Sequence, residues 1–143
     1  MFDILIRGGR VALPYGVSVA DVGLRDGRIT AIGHLGDVEA ERVIEAAGLL
    51  VLPGLIDPHL HIGDTAPAQG MLAPDDFYTA TVAAAHGGVT TVMDFAYPVP
   101  GGTMQDAVSA RRADADGRTV IDYGLHAVID DLNGSVLETM ADL

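Results

Sequence analysis

The chain has 143 residues, 49% hydrophobic and 20% charged, which is enough apolar material for a core and too little charge for a disordered chain. Eight basic against 20 acidic residues give a net charge of −12, most of it after Pro53, so neither nucleic acid nor an anionic membrane is an expected partner. Cysteine and lysine are both absent, which excludes disulfides, thiolate metal sites, a cysteine nucleophile, a Walker-type phosphate loop and Schiff-base chemistry.

No apolar run approaches the roughly 18–20 residues that span a bilayer. The opening MFDILIRGGR lacks the pattern of a signal peptide, so a cytoplasmic location is expected. Residues 1–52 read as short strands and turns. FDILIR (2–7) is strand-like and meets a turn at Gly8-Gly9. VSVADVGL (17–24) alternates as a half-buried strand does. Asp26-Gly27 supplies the positive-φ pair of a tight hairpin, and RITAIG (28–33) returns. RVIEA (42–46) and LLVL (49–52) complete what reads as part of a small β-sandwich.

From residue 53 to 143 the rhythm changes to strand, loop, helix. GLIDPHLHI (54–62) is the first strand. Pro74 is placed to start a helix, with Asp75 and Asp76 at its positive end and Gly87 closing it. GVTTVMDF (88–95) is the second strand. Thr103 and Asp106 have capping-box spacing for a helix to about Asp116. TVIDYGLHAVI (119–129) is the third strand, and Ser135 to Glu138 repeats the capping-box spacing. Alternating βα units imply an α/β fold with a parallel sheet and helices packed outside it.

Asp57, His59 and His61 recur at spacing two, which on a strand puts their side chains on one face. Two imidazoles so placed can meet one divalent cation, at the end of a parallel strand where such folds place their sites. The same spacing also describes two polar residues satisfied by backbone bonds, and spacing alone does not separate the two.

PGLIDPHLHIG (53–63) closely resembles the Pro-Gly…Asp-x-His-x-His signature of the metal-dependent amidohydrolase superfamily. GGVTTVMDF (87–95), VIDYGLHAVI (120–129) and the β-rich start resemble dihydropyrimidinases and hydantoinases within it. The resemblance implies the opening βα units of a TIM-like (β/α)8 barrel, preceded by part of a β-sandwich. It implies metal ligation by His59 and His61, with Asp57 supporting an imidazole rather than binding metal. It also implies two Zn2+ ions sharing a hydroxide that attacks the carbonyl of a cyclic amide, opening a dihydropyrimidine or hydantoin ring to an N-carbamoyl amino acid. The three serines (Ser18, Ser109, Ser135) lie in no nucleophile elbow, in keeping with a metal-activated nucleophile.

The family's bridging carboxylated lysine has no counterpart here, and its further histidines and aspartate cannot be assigned. A barrel of this kind needs at least about 200 residues. The 143 residues therefore read as the N-terminal part of a longer enzyme, inactive alone. The loop after His61 is expected to overhang the site, with Asp64, Met71 and Leu72 as substrate contacts. A homo-oligomer, tetrameric in the resembled family, is the implied assembly.

Allantoinase and dihydroorotase are the nearest alternatives. They commonly carry Asp-Met-Pro where this chain has Asp94-Phe95-Ala96, and dihydroorotases carry an Arg soon after the second His, where none occurs before Arg111. A non-catalytic dihydropyrimidinase-like interaction protein is a further alternative, weakened by the presence of both histidines. Asp94 reads as support for neighbouring loops, His126 as a packed and hydrogen-bonded side chain, and His34 and His86 as structural or solvated.

Overall fold

Apolar residues recur through Phe2–Leu13, and in the computed structural model this whole run is one strand, β1. The structure describes residues 1–63, 74–98, 101–130 and 134–140. The chain divides into two compact units, Met1–Pro53 and Gly54–Leu143.

In the first unit β1 pairs antiparallel with β2 (Gly16–Arg25), which pairs antiparallel with β3 (Arg28–Gly33). On its other side β1 pairs in parallel with β4 (Ala40–Glu45) and then β5 (Leu50–Val51). The sheet order is β3-β2-β1-β4, with β5 also on β1. Val11, Ala20 and Val22 form its buried centre, packed by Ile6, Leu13, Leu24 and Val51. The hairpin turn falls at Asp26 (φ 51°) and Gly27 (φ 69°), as the residue pair predicts.

Two expectations for this unit need correction. Gly8-Gly9 is not a turn. The strand runs through it with a bulge between Ile6 and Gly9, and Gly8 takes the left-handed φ of 65°. The freed Gly8 N–H donates to Asp21 Oδ1 at 2.8 Å, and Leu35 N–H donates to Asp21 Oδ2 at 2.9 Å. Nor does β2 alternate cleanly: Ala20, Asp21, Val22 and Gly23 are all buried in succession. Asp21 is covered because it serves the bulge, and the Phe2 ring occupies the space a Cβ on Gly23 would take.

The second unit has a three-stranded parallel sheet in the order β6-β7-β8: Leu55–Asp57, Val89–Ala96 and Asp122–Ala127. Helix α1 (Phe77–His86) connects the first two strands and α2 (Met104–Ala115) the second two; α3 (Gly134–Thr139) follows β8. Mixed α/β architecture with parallel βα units is therefore as expected. Ile62, Phe77 and Ala115 form the buried cluster, joined by Leu60, Ala80 and Tyr123.

Local chemistry sets the helix ends. Asp76 caps α1 by accepting Thr79 N–H at 2.8 Å while Thr79 Oγ1 accepts Asp76 N–H at 3.0 Å. This reciprocal box moves the start past Pro74 and Asp75, which precede the cap instead of opening the helix. Gly87 is the C-cap, as expected. Thr103 and Asp106 form the expected box on α2, with N···O distances of 2.8 and 3.1 Å. Ser135 lies inside α3, which begins one residue earlier, so it does not occupy the cap position. The Tyr123 hydroxyl of β8 donates to the carboxylate of Asp116 at the end of α2; that bond and burial push the phenol above its ordinary 10.0.

The first strand of this unit is shorter than the sequence suggests. It ends at Asp57, because Pro58 has no N–H to donate to a ladder. The third strand is likewise trimmed, from 119–129 to Asp122–Ala127.

Candidate metal centre

Although β6 ends at Asp57, the chain beyond Pro58 keeps running beside β7. Leu60 N–H donates to Met93 O at 3.2 Å, and Ile62 N–H donates to Asp94 Oδ1 at 3.3 Å. Extended backbone sends alternate side chains to opposite sides. Leu60 and Ile62 enter the core cluster, while His59 and His61 are exposed on the other side. The shared face of the two histidines thus survives the early end of the strand.

Their rings lie 5.3 Å apart between centroids and nearly perpendicular, at 87°. Phe95, on the face of β7 opposite Val92, Asp94 and Ala96, packs against both, 4.6 Å from His59 and 4.9 Å from His61. His126, paired with Phe95 in the β7–β8 register, packs tilted against the same ring, 4.9 Å between centroids and 38° between planes. Its Nε2 lies 3.0 Å from Pro58 O, so it is hydrogen-bonded as expected, although exposed. These side chains collect where three parallel strands reach their C-terminal ends, the customary site edge of such sheets.

Asp57 Oδ1 accepts the main-chain N–H of His59 at 3.1 Å. That bond lets Asp57 shape the turn that delivers His59. Among the described residues no group of three or more His, Asp or Glu side chains is placed to hold a metal ion. The donor set is one of two neutral-capable imidazoles on one exposed face, which suits a borderline-soft divalent cation and leaves its remaining ligands to other residues. Asp64, Met71 and Leu72 lie outside the described residues.

Asp94 supports neighbouring backbone, as expected, and does so with a partner that the sequence reading did not single out. It is fully buried and pairs with Arg111 of α2, whose Nη2 lies 2.5 Å from Oδ2. A lone carboxylate in phase with buried Val92 and Ala96 was the available signal, since a buried charge needs a partner. Phe95 was the other omission. It reads as an ordinary strand residue until β8 is placed beside it.

Residues 50–138 match the amidohydrolase family. The chain is similar to a D-hydantoinase of Ralstonia pickettii, 45% identical over 139 residues that cover 96% of this chain and 30% of the relative. A dihydropyrimidinase of Rattus norvegicus is 40% identical, over 98% of this chain and 28% of its own. A solved D-hydantoinase structure superposes with a TM-score of 0.86 at 42% identity, covering 96% of this chain and 30% of that one. The chain spans about 30% of the length of the curated relatives it matches. Among the described residues no helix is long and apolar enough to cross a membrane.

Proposed function

The chain belongs to the amidohydrolase family, and from that premise we propose that the complete protein hydrolyses a cyclic amide of the dihydropyrimidine or hydantoin class to an N-carbamoyl amino acid. The observation that carries this reading is the His59–His61 pair, adjacent at 5.3 Å on the exposed face beyond β6, in a chain that is 45% identical to a D-hydantoinase. His59 and His61 are the proposed metal ligands and Zn2+ the proposed ion, with two ions in the complete centre. When bound, such a metal supplies Lewis acidity, polarising the amide carbonyl and lowering the pKa of water.

The residues of this chain do the positioning. Asp57 fixes the backbone approach to His59, and Phe95 backs both imidazoles on the side away from the helices. Asp64, Met71 and Leu72 are the proposed substrate contacts. Residues 53–143 are proposed as the first βα units of a (β/α)8 barrel, supported by three parallel strands that neighbour one another in chain order. Residues 1–52 are proposed as one layer of a β-sandwich, since exposed Val17 and Val19, on the face of β2 opposite buried Ala20 and Val22, leave apolar surface for a second layer. With two proposed ligands among the described residues, the 143 residues alone are proposed to be inactive, and the complete protein to be a homo-oligomer.

The test is metal analysis and turnover of the complete protein with dihydrouracil, hydantoin, allantoin and dihydroorotate. Ring opening of either of the first two, with metal lost in His59→Ala and in His61→Ala, is the expected result. Turnover of allantoin or dihydroorotate instead would move the assignment within the family. Unchanged metal content in either variant would refute the ligand assignment.

A further inference from the structure

We infer that Asp94 and Arg111 are positioning residues for the metal centre: together they clamp both main-chain polar groups of Ile62, the residue that follows His61. This rests on the proposed ligation by His59 and His61.

Three hydrogen bonds close the clamp. Ile62 N–H donates to Asp94 Oδ1 at 3.3 Å. Arg111 donates from Nε to Asp94 Oδ2 at 2.7 Å and from Nη2 to the carbonyl oxygen of Ile62. Ile62 is 1% exposed, Asp94 is fully buried, and the Arg111 side chain is 15% exposed. The guanidinium also lies over the Phe77 ring, 4.5 Å from its centroid, so its plane is fixed by packing as well as by bonds.

The arrangement does a job that strand pairing does not. Pro58 ends β6, so the segment carrying the histidines lacks a regular ladder to β7. Leu60 keeps one ladder-like bond to Met93 O, and at Ile62 a side chain from β7 takes the place of the β7 backbone. A rotation of the Ile62 peptide planes breaks both the Asp94 and the Arg111 bonds. Because side chains alternate along this segment, fixing Ile62 inward fixes the direction in which His61 leaves the backbone, and His59 two residues before it. An arginine is required: one planar fork must reach a carboxylate and a carbonyl together, and a lysine ammonium has no such geometry.

The experiment uses the complete protein. Metal affinity is measured by chelator competition, and the ligand field by the visible spectrum of the cobalt-substituted protein. Four variants are compared: Arg111→Lys, Asp94→Asn, His59→Ala and Thr103→Ala. Thr103→Ala weakens the cap of α2, the helix that carries Arg111, without touching the clamp, and so controls for general loss of stability. Expected are a 10- to 100-fold loss of affinity and a changed cobalt spectrum in Arg111→Lys and Asp94→Asn, with Thr103→Ala like the parent. Parent-like affinity and spectrum in Arg111→Lys and Asp94→Asn, while His59→Ala loses metal, would overturn the clamp alone. Full metal retention in His59→Ala would instead overturn the ligand assignment on which the clamp rests. Should both clamp variants fail to fold, hydrogen exchange in the parent decides. The Ile62 amide is expected among the slowest in this unit, and rapid exchange there would refute the clamp.

Discussion

His126 Nε2 sits 3.0 Å from the carbonyl oxygen of Pro58, across 68 residues of sequence. A carbonyl only accepts, so the hydrogen on that ring nitrogen is fixed by its partner. The bond reaches from β8 over Phe95 to the residue immediately before His59. It thereby secures the entry to the histidine segment, whose exit is held at Ile62.

The first prediction concerns this bond. His126→Phe keeps a ring against Phe95 and removes the donor. It is expected to cost about 0.5–1.5 kcal/mol of stability, the usual net worth of one neutral hydrogen bond. In the parent protein, nitrogen NMR of His126 is expected to show the neutral ring protonated at Nε2. The opposite tautomer would show that the Pro58 bond does not form in solution.

Gly54, in the Pro-Gly pair opening the motif, is a steric requirement. A Cβ on Gly54 would lie 2.0 Å from Thr90 Oγ1 and 2.4 Å from its Cγ2. Gly54→Ala is therefore expected to destabilise the protein by about 1–3 kcal/mol, the common range for an overpacked site. Thr90→Ala in the same chain removes both obstructing atoms and should recover part of that loss. A double-mutant cycle by denaturant unfolding measures it, and strictly additive effects would place the strain elsewhere.

Sequence legibility followed the range of the interactions. The Asp26-Gly27 hairpin and the Thr103–Asp106 box were readable because each is complete within four residues. The exposed pairing of His59 and His61 was readable from spacing two, although the strand expected to produce it stops at Asp57. What escaped depends on distant partners. Gly8 looked like a turn residue because Asp21, which accepts its N–H, lies 13 positions away. Arg111 is 17 residues from Asp94 and 49 from Ile62, so no local pattern announces the link. Phe95 acquires its place against three imidazoles only when β6, β7 and β8 are side by side.

Asp21 gives the first unit a defined acid sensitivity. Backbone donation from Leu35 and then Gly8 holds its carboxyl below the ordinary 3.8, against an opposing push from burial. A carboxyl depressed in the folded state contributes stability that is present above its unfolded value and is lost as pH falls through the folded one. Asp21→Asn is therefore expected to lower the melting temperature at pH 6 and to approach the parent as pH drops below 3.8. Thermal unfolding across pH 6 to about 2 checks this. A difference independent of pH would mean that the ionised carboxylate is not what holds the bulge.

Phe95 is the common wall behind the proposed ligands, 4.6 Å from His59 and 4.9 Å from His61. Ring-on-ring packing, stacked for His61 and tilted for His59, favours a particular imidazole plane, whereas an aliphatic side chain has no such preference. Phe95→Leu in the complete protein should retain the fold, since the exchange stays apolar and Phe95 is only half-buried, with a loss of about 1–2 kcal/mol for the volume removed. Metal affinity should nonetheless fall about tenfold, the lower end for residues that orient ligands without binding the ion. Chelator competition beside a melting curve separates the two effects. A matched fall in both would reduce Phe95 to ordinary packing. Lost affinity at near-parental stability would make it part of the geometry that presents His59 and His61.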